Sequence, residues 1–232
     1  MVPMDLPVES SLDQILSQLT SANPPGLPRK ILFWGEGAGE VSSYIAGWMV
    51  GQGMNIIVLD GANRFDPYVV SSFAKKALIP PESLLKRIRI ARAFTCYQMT
   101  TLVEEKLIAL LRQEEAISQM HRPRVILLGP LSTFLDEDVP EKEAGPLFER
   151  SLRKMEALAI EEIPFFLFQA SVPSDSKRAY LTRRLFQFSN WVWEVSLDNE
   201  GPKLVLKKGV DSVIPMKTGI QVKRHGFLLP QE

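Results

Sequence analysis

The stretch "ILFWGEGAGEVSSYIAGW", residues 31–48, decides the fold. An apolar run typical of a buried strand leads into a turn with Gly35, Gly37 and Gly39, and a helical pattern follows. This order is typical of a phosphate-binding loop, in which backbone N–H groups hold phosphate oxygens. Such a loop also needs a lysine, and Glu40 stands near the position where that lysine belongs. The stretch therefore indicates an ATP site, a former ATP site or a simple turn.

Strands and helices alternate along most of the chain. Apolar runs predict strands at 30–34, 55–60, 87–92, 124–129 and 164–169. Helical patterns predict helices over 41–51, from near Pro67, over 98–116 and over 143–161. Short strand-like runs after residue 190 are separated by glycine and proline turns. We therefore expect an α/β fold, with a mainly parallel central sheet flanked by helices and antiparallel C-terminal edge strands.

The length and composition favour one globular domain over 25–232, preceded by an N-terminal tail and a short helix over 1–24. The formal net charge is zero, so no overall charge attracts the chain to nucleic acid or to membranes. One cysteine, Cys96, and two histidines give no basis for a disulfide or a His/Cys zinc site. Without a bilayer-long apolar run or a signal peptide, we expect a cytoplasmic protein without a membrane partner.

Several blocks of sequence together resemble a known family. They are "ILFWGEGAGE", "NIIVLDGANRFDP", "RIRIARAFTCYQMTTLVEEKL", "RVILLGPLSTF" and "FFLFQASVP", in this order. Over residues 25–225 the chain resembles the ATPase core of the RecA/RadA recombinase superfamily, nearest to its RadA side. The most specific block is "IARAFTCYQM", residues 90–99, in which we expect Phe94 and Tyr97 to be core residues. The resemblance implies a RecA-like P-loop NTPase fold.

The Walker A loop that the resemblance implies is degenerate here. This superfamily needs a lysine on the β- and γ-phosphates and a serine or threonine on Mg²⁺. One alignment places Glu40 at the lysine and Val41 at the hydroxyl position, and the other places Val41 at the lysine and keeps Ser42. Neither alignment supplies the lysine, and Glu40 would repel phosphate. If nucleotide still binds, the resemblance places it at Gly35, Gly37, Gly39, Ser42 and Ser43.

The Walker B acid and the catalytic glutamate are also missing. Gly129 stands at the end of the strand where the family carries its metal-binding acid. Asp60 follows the second strand, but Ala62 occupies the position of the water-activating glutamate. Phosphoryl transfer depends on positioning and on charge stabilisation, so three such losses predict an inactive ATPase. We expect no cofactor and disfavour ATP binding.

Two loops that grip DNA in these recombinases differ in charge here. The first, "FLDEDVPEKEAG", is acidic and would repel DNA phosphates. The second, "ASVPSDSKRAYLTRR", is more basic, as is the C-terminal region. These basic residues form either an ordinary solvated surface or a weak contact for nucleic acid or a partner. They are Lys177, Arg178, Arg183, Arg184, Lys207 and Lys208.

The resemblance also bears on assembly. Recombinases of the RadA side polymerise through a Phe-x-x-Ala segment before the core, and no phenylalanine precedes Phe33 here. We therefore predict an inactive paralog that acts as an accessory or scaffold protein in DNA recombination or repair, with a recombinase or repair protein as partner. One alternative is a regulator that binds ATP or ADP without hydrolysis, with Lys30 or Arg64 facing the phosphates. A third reading, an active ATPase with a displaced lysine, has the least support.

Overall fold

The computed structural model describes residues 29–117, 122–173, 175–198, 201–209 and 220–221. The predicted tail and short helix over 1–24 lie outside these residues. The described part of the chain is an α/β fold built on one 8-stranded sheet. Its strands are β1 (Lys30–Trp34), β2 (Ile56–Asp60), β3 (Ile88–Arg92), β4 (Arg124–Leu128), β5 (Phe165–Gln169), β6 (Trp191–Asp198), β7 (Gly201–Lys208) and β8 (Ile220–Gln221).

The strand order in the sheet is β3-β2-β4-β5-β1-β6-β7-β8. All pairings from β3 through to β6 are parallel, whereas β6 with β7 and β7 with β8 are antiparallel. The predicted parallel sheet with antiparallel C-terminal edge strands is therefore confirmed. β6 belongs to both parts, because it pairs in parallel with β1, where Leu32 lies opposite Val192, and antiparallel with β7.

The helices follow the strands in the expected alternation. Regular α-helices are α1 (Ala38–Gly51), α2 (Pro67–Lys76), α3 (Pro81–Leu85), α4 (Cys96–Thr101), α5 (Leu107–Ile117), α6 (Glu141–Ile160) and α7 (Ala179–Phe188). A π-helical turn, Leu102–Lys106, joins α4 to α5, and a 3-10 turn, Ser132–Phe134, follows β4. Within the described ranges, no helix combines the length and the apolar composition needed to cross a membrane.

Two apolar cores cover the two faces of the sheet. On the first face, Ile31 and Phe33 of β1 pack in the same core as the apolar side chains of α1, α2 and α3. On the second face, Leu32 belongs to a core with α4, α5, α6 and α7. Successive residues of a strand point to opposite faces, which is why one strand serves both cores. Burial on both faces also explains why β1, β2, β4 and β5 are almost continuous apolar runs.

Two helices were not predicted from the sequence. α3 has only five residues, Pro81–Leu85, and is too short to show a helical period. α7 carries the buried residues Leu181 and Leu185 at helical spacing, so its pattern was detectable. The predicted helix over 98–116 begins earlier, at Cys96, because the Thr95 side chain accepts a hydrogen bond from the Gln98 N–H and caps it.

The end of α2 has an unusual residue in its cap. Leu78 has a φ of 57° and its side chain is 93% exposed. Its N–H donates to the Lys75 carbonyl at 3.1 Å, and the Ile79 N–H donates to the Ala74 carbonyl at 2.9 Å. This pair of bonds is a Schellman motif, in which glycine normally occupies the left-handed position. Leucine therefore adds backbone strain here without burying its side chain.

We predict that Leu78→Gly stabilises the protein. Glycine relieves the left-handed strain but loses more chain entropy on folding, so the free energy of unfolding should rise by about 0.5–1 kcal/mol. Urea unfolding followed by circular dichroism measures the change. The neighbouring control is Ala77→Gly, since Ala77 has a φ of −84° and glycine there brings no relief. If both variants were destabilised alike, strain at Leu78 would be disproved.

Candidate functional site

The candidate site lies where the carboxyl ends of the parallel strands meet. The turn Gly35–Gly37 joins β1 to α1 at this edge. α1, which follows β1, lies on the first face of the sheet, whereas α7, which follows β5, lies on the second. β1 and β5 are neighbours, and ligands of open α/β sheets bind where adjacent connections diverge in this way. The fold therefore places the predicted glycines at the expected position for a ligand.

Three N–H groups of the glycine turn donate hydrogen bonds to the protein's own backbone. The Gly35 N–H donates to the Gln169 carbonyl at 3.0 Å, and the Gly37 N–H donates to the Val195 carbonyl at 3.4 Å. The Ala38 N–H donates to the Gly35 carbonyl at 3.1 Å. A phosphate-binding loop needs such N–H groups to point at the ligand. In this conformation these three donors are directed to backbone carbonyls instead.

Close packing against β6 accounts for two of the three glycines. Gly35 has a φ of 122°, and a Cβ atom there would lie 2.3 Å from the Val195 carbonyl oxygen. At Gly37 a Cβ atom would lie 2.9 Å from Val195 Cγ1 and 3.0 Å from Leu197 Cγ. At Gly39, by contrast, nothing lies within 4 Å. The fold therefore requires Gly35 and Gly37, while the space around Gly39 is open.

The two serines of the predicted site hold local backbone. Ser42 is buried, and its hydroxyl donates to the Gly39 carbonyl at 2.6 Å. Ser43 is also buried, and its hydroxyl accepts a hydrogen bond from the Asp66 N–H at 2.9 Å. Ser43 thus ties α1 to the start of α2. Glu40, which stands in the lysine position, is exposed on the first turn of α1.

Asp60, at the end of β2, has its carboxylate turned toward its own loop. It is fully buried and accepts hydrogen bonds from the N–H groups of Ala62, Arg64 and Phe65 at 3.1–3.2 Å. The Arg92 side chain lies 3.5 Å from the same carboxylate and balances its charge. These contacts make Asp60 an organiser of the turn after β2. The carboxylate is thus engaged by donors of the fold.

The end of β4 has no room for the acid that a metal would need. Gly129 has a φ of 60°, and a Cβ atom there would lie 2.3 Å from Ser132 Oγ and 2.7 Å from Ala62 Cβ. Beside this turn the Gln169 side-chain oxygen accepts the Leu131 N–H at 2.8 Å. The described part of the chain contains no group of three or more His, Cys, Asp or Glu residues that could hold a metal ion.

The two cations proposed as substitutes for the loop lysine lie in different places. Lys30 starts β1, so the length of the strand, about 13 Å for five residues, separates it from the glycine turn. Its ammonium pairs with Glu156 and lies 4.8 Å from the centroid of the Phe188 ring. Arg64 is exposed in the turn after β2, at the same carboxyl edge of the sheet as the glycines. Two strands, β4 and β5, separate β2 from β1 in the sheet.

The six basic residues of the predicted contact surface have different surroundings. Arg178 is buried, and its guanidinium donates to the carbonyls of Phe134, Asp136 and Val139. Arg178 is therefore not a surface contact. Because its bonds join the segment after β5 to the loop after β4, it holds the two loops together.

Three of the other basic residues are engaged at the surface. Arg184 is exposed and donates to both carboxylate oxygens of Glu149, which lowers the pKa of that carboxyl. Lys207 pairs with Glu194 at 2.8 Å, and Lys208 donates to the Phe186, Gln187 and Ser189 carbonyls.

Lys177 and Arg183 are exposed, and no ion pair or hydrogen bond of their side chains is found within the described ranges. The structure thus separates the predicted patch into one buried clamp, three engaged residues and two open cations.

The loop after β4 and the start of α4 differ from each other in character. Asp136, Glu137 and Asp138 are exposed, in agreement with the acidic surface that the sequence predicts. Phe94 and Tyr97, predicted to be core residues, are 66% and 47% exposed, so that expectation is wrong. They lie at the beginning of α4, where the outward side of a short first turn faces solvent.

Cys96, next to Tyr97, is fully buried, and burial raises the pKa of its thiol. A higher pKa reduces the thiolate fraction, which gives no support for a nucleophile.

Comparison of the chain with protein-family models and with curated proteins gives no match. The RecA/RadA resemblance therefore stays a prediction, and the site must be judged on its own geometry. Gln169 and Val195 were not identified from the sequence, although their carbonyls accept hydrogen bonds from the Gly35 and Gly37 N–H groups. Both contacts use main-chain oxygens of residues far along the chain, and no side-chain pattern marks them.

We predict opposite effects for two glycine substitutions in the turn. Gly35→Ala places a methyl group against the Val195 carbonyl in a left-handed conformation, and should lower the free energy of unfolding by about 3 kcal/mol. Gly39→Ala meets open space at the start of a helix and should raise it by about 0.5–1 kcal/mol. Urea unfolding of the pair checks both values. Equal tolerance at the two positions would mean that the turn does not pack on β6 as described.

We also predict that Arg178 is structural. Arg178→Met removes hydrogen bonds to buried carbonyls and should lower the free energy of unfolding by about 3 kcal/mol. Arg183→Met, which changes an exposed residue of the same helix region, should alter it by less than about 0.5 kcal/mol. The comparison uses chemical denaturation at neutral pH. If Arg178→Met were as stable as the control, Arg178 would not be structural and would again be a candidate for the surface contact.

Proposed function

We propose that the chain is a catalytically inactive RecA/RadA-like protein that acts as an accessory or scaffold in DNA recombination or repair. Two observations support the RecA-like part of the proposal. The sequence blocks occur in the family's order, and the glycine turn lies between β1 and α1 at the carboxyl edge of a mainly parallel sheet. The role in recombination rests on the resemblance, since one fold can serve many functions.

The hydrogen bonding of the glycine turn is the observation that supports catalytic inactivity. Its Gly35 and Gly37 N–H groups bond to the carbonyls of Gln169 and Val195. Phosphate could reach these donors only by displacing both contacts, and Glu40 would add repulsion. At the end of β4, the packing around Gly129 leaves no space for a metal-binding side chain. These contacts, together with the missing lysine and acid in the sequence, support the proposal that phosphoryl transfer, which depends on positioning, a cation and a metal site, is lost.

The proposal predicts that the protein does not bind nucleotide. Calorimetric titration of the full chain with ATP and Mg²⁺ should release no binding heat, and a parallel melting experiment should show no thermal shift. Glu40→Lys is the informative variant, because it restores a cation without opening the turn. It should bind nucleotide no better than the wild type, since the Gly35 and Gly37 N–H groups stay bonded to backbone carbonyls.

Saturable binding by the wild type would replace this proposal with the nucleotide-dependent regulator. Arg64 would then be the first residue to test, because Lys30 lies at the other end of β1. Binding by Glu40→Lys alone would show that charge, and not loop geometry, excludes the nucleotide. Steady release of phosphate from ATP would overturn the inactive assignment altogether.

The outer edge of β3 provides a surface through which an accessory protein could act. β3 pairs with β2 on one side, and no described strand pairs with its other side. Ile90, in the middle of β3, is 44% exposed. An open edge of this kind can accept an extended segment from another protein, with main-chain hydrogen bonds supplying affinity. This edge supports a protein partner, such as the recombinase that the resemblance suggests.

Partner binding at β3 is tested by assembly experiments with the recombinase of the same organism. We expect the wild-type chain to co-purify with it or to alter its filaments, as judged by light scattering and electron microscopy. Ile90→Lys, which introduces a charge on the edge, should weaken the effect by about ten-fold or more. Ile160→Lys is the control, since Ile160 is 76% exposed at the end of α6 and does not lie on the edge of β3.

The two tests separate the parts of the proposal. A chain that binds neither nucleotide nor recombinase keeps its inactive core but loses the role in recombination. If the Ile90→Lys variant alters filaments as well as the wild type does, the role in recombination stands. The edge of β3 is then excluded as the contact.

A further inference from the structure

Three aromatic side chains are exposed around the first turn of α6. Phe94, Tyr97 and Tyr180 are 66%, 47% and 44% exposed, and we call them the aromatic surface. They come from two segments that are far apart in the chain, the start of α4 and the first turn of α7. Large rings exposed on neighbouring segments mark an interaction site more often than isolated ones do.

Contacts with α6 place two of these side chains beside its first turn. The Tyr97 hydroxyl donates to Glu143 Oε2 at 2.5 Å, which raises the pKa of the tyrosine. The Tyr180 hydroxyl lies so close to Gly145 that a Cβ atom there would be 2.9 Å from it. Residues two apart on a helix lie on different sides of its axis. The two tyrosines therefore flank the first turn of α6 from opposite sides, and Phe94 precedes Tyr97 by three residues in the chain.

Carboxylates surround the aromatic surface. The segment 136–143, which leads into α6, carries five acidic residues and the single base Lys142. Four of the acids are exposed, namely Asp136, Glu137, Asp138 and Glu141. Their charges favour a cationic occupant and disfavour phosphates. An uncharged apolar occupant would desolvate these carboxylates without pairing them.

The buried Arg178 side chain fixes the acidic loop next to the aromatic surface. Arg178 holds the carbonyls of Phe134, Asp136 and Val139, so the acidic loop is fixed relative to the start of α7. Tyr180 lies two residues beyond Arg178. A surface held in this way loses little conformational entropy when a partner binds, which favours affinity.

We propose that the aromatic surface docks an arginine-rich segment of a partner protein. Guanidinium groups stack on tyrosine and phenylalanine rings and bind carboxylates through two parallel hydrogen bonds, so arginine fits both features. The proposal does not rest on the RecA/RadA-like assignment or on the open edge of β3. It describes a second contact of the protein, formed by the loops after β3, β4 and β5.

The test uses a fluorescein-labelled peptide of alternating arginine and glycine, titrated with the full chain and followed by anisotropy. We expect saturable binding that weakens as salt is added, because exposed charges are screened. Tyr97→Ala and Tyr180→Ala should each weaken binding by about three-fold, as expected for loss of one exposed cation–π contact. Tyr97→Phe should bind as the wild type does, because it keeps the ring and loses only the hydrogen bond to Glu143.

Matched variants elsewhere make the result specific. Tyr68→Ala removes a tyrosine that is 80% exposed on α2, on the other face of the sheet, and should leave peptide binding unchanged. The double variant Glu137→Gln/Glu141→Gln should weaken binding, whereas Glu82→Gln on α3 should not. Equal effects of Tyr68→Ala and Tyr97→Ala would overturn the proposal, as would absence of saturable binding. Preference for a single-stranded oligonucleotide over the peptide would also overturn it and would assign the rings to base stacking.

Discussion

The contact between the glycine turn and β6 is the interaction on which the candidate site depends. Gly35 and Gly37 bring the turn so close to Val195 that a Cβ atom at either position would overlap with it. The same approach lets the Gly37 N–H bond to the Val195 carbonyl. β6 is held in place by its parallel pairing with β1, so the strand that delivers the turn also positions its partner. Glycine here permits close packing of backbone on backbone.

The rest of the carboxyl edge is closed by the same kind of packing. Gly129 lets the turn after β4 lie against Ala62, and Asp60 gathers the N–H groups of the neighbouring turn. In these two turns, the backbone and the Asp60 carboxylate therefore make contacts within the fold. Polar and aromatic side chains are left free on the loops farther out, where the clamp of Arg178 sets an acidic loop beside exposed rings. This arrangement is the basis of our proposal that the protein binds other proteins.

Much of the fold was predictable because four of its strands are buried on both faces. The runs that form β1, β2, β4 and β5 are apolar except at one end, and each observed strand from β1 to β5 lies within the predicted range. For the site, the sequence predicted only that the loop lysine, the metal-binding acid and the catalytic glutamate of the family are missing. Which donors are occupied, and that Arg178 is buried while Phe94 and Tyr97 are exposed, depends on contacts between distant segments. A basic residue in a polar stretch looks the same in sequence whether it meets solvent or three carbonyls.

The amino-acid sequence by itself determined the α/β class, the parallel sheet with its antiparallel edge and the absence of the loop lysine, because periodicity and residue identity are local properties. Tertiary structure decided the strand order, the closure of the glycine turn by β6 and the convergence of α4, α6 and α7. The physical reason is that hydrogen bonds and van der Waals contacts act over a few ångströms. Which residues come within that range is fixed only when the whole chain has packed.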